Sequence, residues 1–129
     1  MPQEIMFSKT HEWAKIEADG KVAAVGLSAY AFEQLTDLVH LELPEVGRRV
    51  KAGEPFGEVE SVKAVSDIYS PVDGEVVEVN SAAVQNLDHL AQDPYGAGWL
   101  IKVRLDGGKL PEGLLDEAAY KKHCATEQH

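Results

Sequence analysis

The residue with the most chemical promise is Lys63, in the stretch Glu58-Val59-Glu60-Ser61-Val62-Lys63-Ala64-Val65-Ser66-Asp67-Ile68-Tyr69-Ser70-Pro71. β-Branched and aromatic residues on both sides of it favour extended chain. Pro71 closes the second run, because it cannot donate to a ladder. The stretch therefore reads as two short strands meeting at a tight reversal, with Lys63 at or beside the apex. No cationic neighbour or apolar pocket is evident that would depress the amine's pKa and make it a nucleophile. Left alone, such a lysine is a solvated surface charge. Its distinctive property is a long flexible stem ending in an amine that another enzyme can acylate.

Other chemistries find little support. The five histidines, at 11, 40, 89, 123 and 129, have no ligand-like spacing with one another or with Cys124. Cys124 is the only cysteine, so no disulfide forms within one chain and no redox pair is expected. A nucleophile elbow, a P-loop and a dinucleotide fingerprint are all missing. Gly96-Ala97-Gly98 is the densest glycine cluster, and without a preceding strand or a following helix it reads as a tight turn. The chain thus carries no self-contained catalytic constellation, and an enzyme is not expected.

The elements that must hold Lys63 are mostly strands. Val22-Ala23-Ala24-Val25 pairs with Trp13-Ala14-Lys15-Ile16-Glu17 across a turn at Asp19-Gly20, and Gly26-Leu27 ends that unit. Ser28 is a good N-cap for a short helix over 29–35 with Phe32 and Leu35 on its apolar side. Leu38 to Leu43 alternates, with Val39, Leu41 and Leu43 facing one way. Val50-Lys51 is extended, and Glu75 to Asn80 is a strand with Val77 and Val79 pointing inward. Ser81 to Gln92 is less regular, and Trp99 to Leu105 forms the last strand before Asp106-Gly107-Gly108. Leu114 to His123 reads as a terminal helix with Leu115, Ala118 and Ala119 on its apolar side and Lys121 and Lys122 at its C-terminal end. The expectation is a mainly β sandwich or barrel with short peripheral helices. It forms one domain over 1–129, with a β core at about 5–106 and a helical segment at about 111–124.

Composition narrows the partners. Among 129 residues, 44% are hydrophobic and 26% charged, an ordinary globular balance. The formal net charge of -10 disfavours nucleic acid and anionic membranes and suits docking onto basic protein surfaces. The first residues lack a basic n-region and a long apolar core, and no apolar run reaches spanning length, so a soluble cytoplasmic protein is expected.

Four blocks in order resemble the glycine cleavage system H-protein family. They are Thr10-His11-Glu12-Trp13, Leu41-Glu42-Leu43-Pro44-Glu45-Val46-Gly47, Glu60 to Pro71 around Lys63, and Asp93-Pro94-Tyr95-Gly96-Ala97-Gly98-Trp99. The resemblance implies a barrel-sandwich hybrid lipoyl-domain fold with lipoate bound covalently to Lys63. It also implies four partners: a lipoyl ligase or lipoyltransferase, the pyridoxal-phosphate-dependent glycine decarboxylase, the tetrahydrofolate-dependent aminomethyltransferase and dihydrolipoyl dehydrogenase. The arm would carry the aminomethyl group of glycine from the decarboxylase to the transferase. A loaded arm with a cationic amine needs a water-excluding cleft and a carboxylate acceptor. By resemblance Glu12 takes that role, with Thr10 and Asp67 as further cleft residues. Three positions depart from the family's pattern: Thr36 replaces a glycine, Gln92 stands near an asparagine position and Ala97 replaces an acidic residue. They bear on partner docking.

Three other readings compete. An H-like lipoyl relay would supply lipoyl groups to other complexes or another sulfur pathway. A lipoyl or biotinyl domain of a larger acyl- or carboxyl-transferring enzyme is disfavoured, biotin because Val62-Lys63-Ala64 lacks flanking methionines and an acyltransferase module because no catalytic domain or linker follows. The last is an unmodified β-domain.

Overall fold

A computed structural model describes residues 5–17, 21–35, 37–62, 64–85, 87–96, 98–108 and 114–127. The strands are β1 (Ile5–Phe7), β2 (Glu12–Ile16), β3 (Val22–Leu27), β4 (Leu38–Glu42), β5 (Arg49–Val50), β6 (Pro55–Ser61), β7 (Val65–Tyr69), β8 (Gly74–Val79) and β9 (Ile101–Leu105). Among the described residues four α-helices accompany them: α1 (Ala29–Leu35), α2 (Ser81–Gln85), α3 (Asp88–Gln92) and α4 (Glu117–Glu127). The strands form two antiparallel sheets, one in the order β1-β2-β3-β9-β8-β5 and one in the order β4-β6-β7. Apolar residues of both sheets meet in one core, Val25, Val76 and Ile101 from the larger and Leu41, Val59 and Ile68 from the smaller. The expected mainly β sandwich is what forms.

A second, smaller core of Phe7, Trp13, Ala24 and Tyr120 involves the larger sheet and α4. Strand β3 serves both cores, sending Ala23 and Val25 into the first and Ala24 into the second. It continues through Gly26 and stops at Leu27, within the Gly26-Leu27 pair at which the sequence ends that unit. The register explains this: Gly26 lies opposite Trp13, and a Cβ on it would sit 2.8 Å from the indole. The missing side chain lets the strand continue beneath the ring. Gly26→Ala is therefore expected to cost about 1–3 kcal/mol by overpacking, read as a lower urea midpoint with an unchanged slope.

Two bulges displace the expected side-chain phase. The β4–β6 register shifts between Leu38 and His40, which turns Val39 outward (50% exposed) while Leu41 stays buried. The β8–β9 register shifts between Val76 and Glu78, so Val76 is the fully buried residue and Val77 is only half-buried. The terminal helix also differs from expectation. It begins at Glu117, Leu115 instead pairs its backbone with Phe7, and Ala118 is exposed. Tyr120 anchors it, stacked on Phe7 at 4.3 Å between centroids. Lys121 and Lys122 lie mid-helix rather than at its end. The stretch 81–92 resolves into α2 and α3, and Gln92 ends α3. Asp19, Gly20, Thr36 and Ala97 lie outside the described residues.

Candidate functional site

The hairpin is built as the residue types demand. β6 and β7 pair antiparallel with Glu60 opposite Val65 and Val59 opposite Ser66. At the turn, the Ser61 amide donates to the Ala64 carbonyl at 2.8 Å, and the Ser61 hydroxyl accepts from the Ala64 amide at 3.2 Å. Lys63 itself lies outside the described residues. Its neighbour Val62 is 64% exposed, Ala64 is exposed, and the Val62 amide donates to the Asp37 carbonyl.

Beside this hairpin opens a cleft of about 530 Å³ lined by Thr10, Glu12, Leu27, Ala31, Val59 and Asp67, among others. It thus brings together all three residues that the sequence nominated for a cleft. Asp67 is exposed on β7, the strand that leaves the turn, and Thr10 is exposed on the β1–β2 connection. Glu12, the first residue of β2, is 1% exposed. Its Oε1 accepts from the Ser8 hydroxyl at 2.8 Å and from the Thr10 hydroxyl, and its Oε2 accepts from the Tyr69 amide at 3.2 Å. The carboxylate therefore clasps β7 of the small sheet to β2 of the large one.

Burial pushes the Glu12 carboxyl up to about 7, against the opposing pull of its hydrogen bonds from Thr10, Ser8 and Tyr69. Near neutral pH it is poised between a neutral and a charged form. Such a group in a partly apolar cleft can receive a cation.

Sequence reasoning missed Ser8, which both supports the carboxylate and accepts from the Glu12 amide at 3.2 Å. The signal was its hydroxyl four residues before Glu12, within reach only if the chain turns. The turn exists: the Ser8 amide donates to the Glu12 carbonyl, and His11 adopts φ 77°. Among the described residues no cluster of His, Cys, Asp and Glu is arranged to hold a metal ion. No helix there is long and apolar enough to cross a membrane.

The other side of the cleft is α1, which contributes Tyr30, Ala31 and Leu35. Ser28 caps it as expected, its hydroxyl accepting from the Ala31 amide. The Ala29 amide donates to the Tyr95 hydroxyl at 2.9 Å, and the Trp13 indole N–H donates to the Pro94 carbonyl at 2.9 Å. The Asp93–Trp99 block and the Thr10–Trp13 block, far apart in sequence, are thus joined beside the cleft.

Comparison with known proteins agrees with this geometry. The family model described as glycine cleavage H-protein matches residues 5–127. The glycine cleavage system H protein of Rubrobacter xylanophilus is 56% identical, over 99% of this chain and 98% of its own. That of Rhodopirellula baltica is 52% identical, over 96% and 95%. The crystal structure of a glycine cleavage system H protein from Mycobacterium marinum superposes with a TM-score of 0.86 at 41% identity, covering 97% of this chain and 99% of that one. With the cleft, the hairpin and the full-length match in accord, the chain belongs to the glycine cleavage H-protein family.

Proposed function

We propose that this chain is the lipoyl-bearing carrier of the glycine cleavage system, with lipoate in amide linkage to Lys63, and that it is not itself an enzyme. When bound, the lipoyl group supplies a disulfide that takes up the aminomethyl group of glycine and is regenerated by oxidation of the dithiol. The protein's part is presentation and protection. The single observation that carries the reading is the cleft. Its apolar residues Leu27, Ala31, Leu35 and Val59 suit a flexible hydrocarbon arm, and Glu12 and Thr10 suit a cationic end group. Among the described residues the groups on Glu12 are the Ser8 and Thr10 hydroxyls and the Tyr69 amide, and all three steady it.

Thr10 and Ser8 hold the Glu12 carboxylate toward β7, and Asp67 lies on the strand that leads from the turn to it. A cation that reaches Glu12 favours its charged form and lowers its pKa. Docking of the loaded arm therefore releases part of a proton near pH 7. The tether gives each docked partner a high local concentration of the arm. The expected partners are the lipoyl ligase or lipoyltransferase, the pyridoxal-phosphate-dependent decarboxylase, the aminomethyltransferase and dihydrolipoyl dehydrogenase. The charge of -10 favours basic docking faces on them.

The test is reconstitution with defined partners. The lipoylated chain should support glycine-dependent carbon dioxide release and one-carbon transfer to tetrahydrofolate, and the unlipoylated chain should support neither. A chain that accepts lipoate yet fails both steps with competent partners would point instead to a lipoyl relay.

A further inference from the structure

We propose that the Tyr120 hydroxyl of α4 is a positioning group for the cleft, tying the Ser8–Glu12 turn to the start of α1. The inference builds on the arm-protecting role proposed for Glu12. Tyr120 is 4% exposed, and its ring lies flat on Phe7, so its hydroxyl has little freedom. That hydroxyl lies 2.7 Å from His11 Nδ1 and also bonds the Ser28 hydroxyl. These two contacts belong to different sides of the cleft. His11 sits between Thr10 and Glu12, while Ser28 caps the helix that supplies Tyr30, Ala31 and Leu35.

The proton order is consistent with a bridge. Ser28 Oγ accepts from the Ala31 amide, which leaves its own proton for the Tyr120 oxygen, and Tyr120 then donates to His11 Nδ1. The reverse order, with His11 Nδ1–H donating to Tyr120 and Tyr120 donating to Ser28, closes the same bridge. Burial raises the Tyr120 pKa, which keeps the phenol protonated at physiological pH.

His11 needs such a support. It is the one non-glycine residue among those described with positive φ, a conformation that strains an L side chain. Its backbone is held by its amide to the Ser8 carbonyl and by the Ser28 amide to its carbonyl. Its ring contacts Tyr30 at 4.8 Å, Tyr120 at 5.6 Å and His123 at 5.8 Å. His123 in turn meets the Lys9 carbonyl at 3.0 Å, so α4 grips the same turn on both sides of Thr10. The titratable groups facing this junction from α4 are Glu117, Lys121, His123 and Cys124, and from the late turn Tyr95. A shift of the turn would change where Thr10 and Glu12 point without removing any residue that touches the arm.

Tyr120→Phe deletes the hydroxyl and keeps the stacked ring. On the unlipoylated chain, carboxyl carbon NMR should show the Glu12 titration midpoint falling by about one pH unit as water reaches the group. The His11 Nδ1 nitrogen shift should move with it. On the loaded, lipoylated chain, hydrolysis of the arm's cargo should quicken several-fold. Ser28→Gly keeps an acceptable N-cap while deleting the hydroxyl's other partner, and it should move both NMR readouts in the same direction. An unchanged Glu12 midpoint would overturn the proposal whatever the melting temperature and the His11 shift do, since loss of the hydroxyl by itself moves those two. A shifted midpoint with an unchanged hydrolysis rate would support the positioning role and count against the arm-protecting reading.

Discussion

A Lys63→Ala chain is expected to gain no mass on incubation with lipoate and a lipoyl ligase, and to support no glycine decarboxylation above background. It should nonetheless melt within about 2 °C of the parent protein, the change of roughly 0.5 kcal/mol or less that is usual for a substitution between exposed neighbours. The flanking residues justify that contrast. Val62 is 64% exposed and Ala64 is exposed, while the turn is closed by Ser61 and Ala64 through bonds that do not involve residue 63. Lys63→Arg sharpens the test. It keeps the charge and the long stem, but a guanidinium at ordinary pH is not an acylable amine, so it too should stay unmodified. A parent chain that gains no mass, or a gain that survives in Lys63→Ala, would remove the carrier reading altogether.

The hairpin was legible because its information is local. Alternating β-branched residues, a small turn and a closing proline specify two paired strands without reference to the rest of the chain. The N-cap at Ser28 was legible for the same reason. What failed was phase. Val39 was placed with Leu41 by strict alternation and Val77 was assigned inward; a bulge beside each turned Val39 out while Leu41 stayed buried, and gave the fully buried position to Val76. Bulges depend on how a partner strand twists, and a single strand's pattern does not contain that. The unit ends at Gly26-Leu27 as expected, but only pairing with Trp13 reveals why a glycine belongs inside the last strand.

The site shows the same division. Thr10, Glu12 and Asp67 came from a family resemblance, and they do line one cleft. Their support did not come with them. Ser8 is an unremarkable serine until the chain turns back over it. Tyr120 lies 109 residues from the histidine it bonds. The expected apolar side of the last helix, Leu115, Ala118 and Ala119, followed from residue type. The observed anchor is a tyrosine, because a buried ring with a bonded hydroxyl outweighs three small or displaced apolar contacts.

Glu12 should make the protein lose stability as pH rises through neutrality. Its carboxyl titrates at about 7 in the fold against an ordinary value of 4.5. Between those values the folded chain holds a proton that the unfolded chain has released, so unfolding becomes easier with increasing pH. The contribution is fully present below 4.5 and gone above about 7, and it amounts to about 3 kcal/mol. Urea unfolding at pH 5 and at pH 8 should show that loss in the parent protein and not in Glu12→Gln, which has no proton to release. Parallel pH dependence in the two proteins would refute the assignment. The loaded carrier should behave differently from both. A cation against Glu12 offsets the desolvation that raised its pKa, so the loaded form should keep much of its stability at pH 8. Its protection of the cargo should improve as the carboxylate forms. Glu12→Ala should then shorten the lifetime of the loaded arm while leaving lipoylation intact, and an unchanged hydrolysis rate would sink the role. The stability that the empty protein gives up above neutral pH is thus the same free energy that a docked cation can recover. On that account, a costly buried acid with no basic partner among the described residues belongs in a carrier whose cargo brings the positive charge.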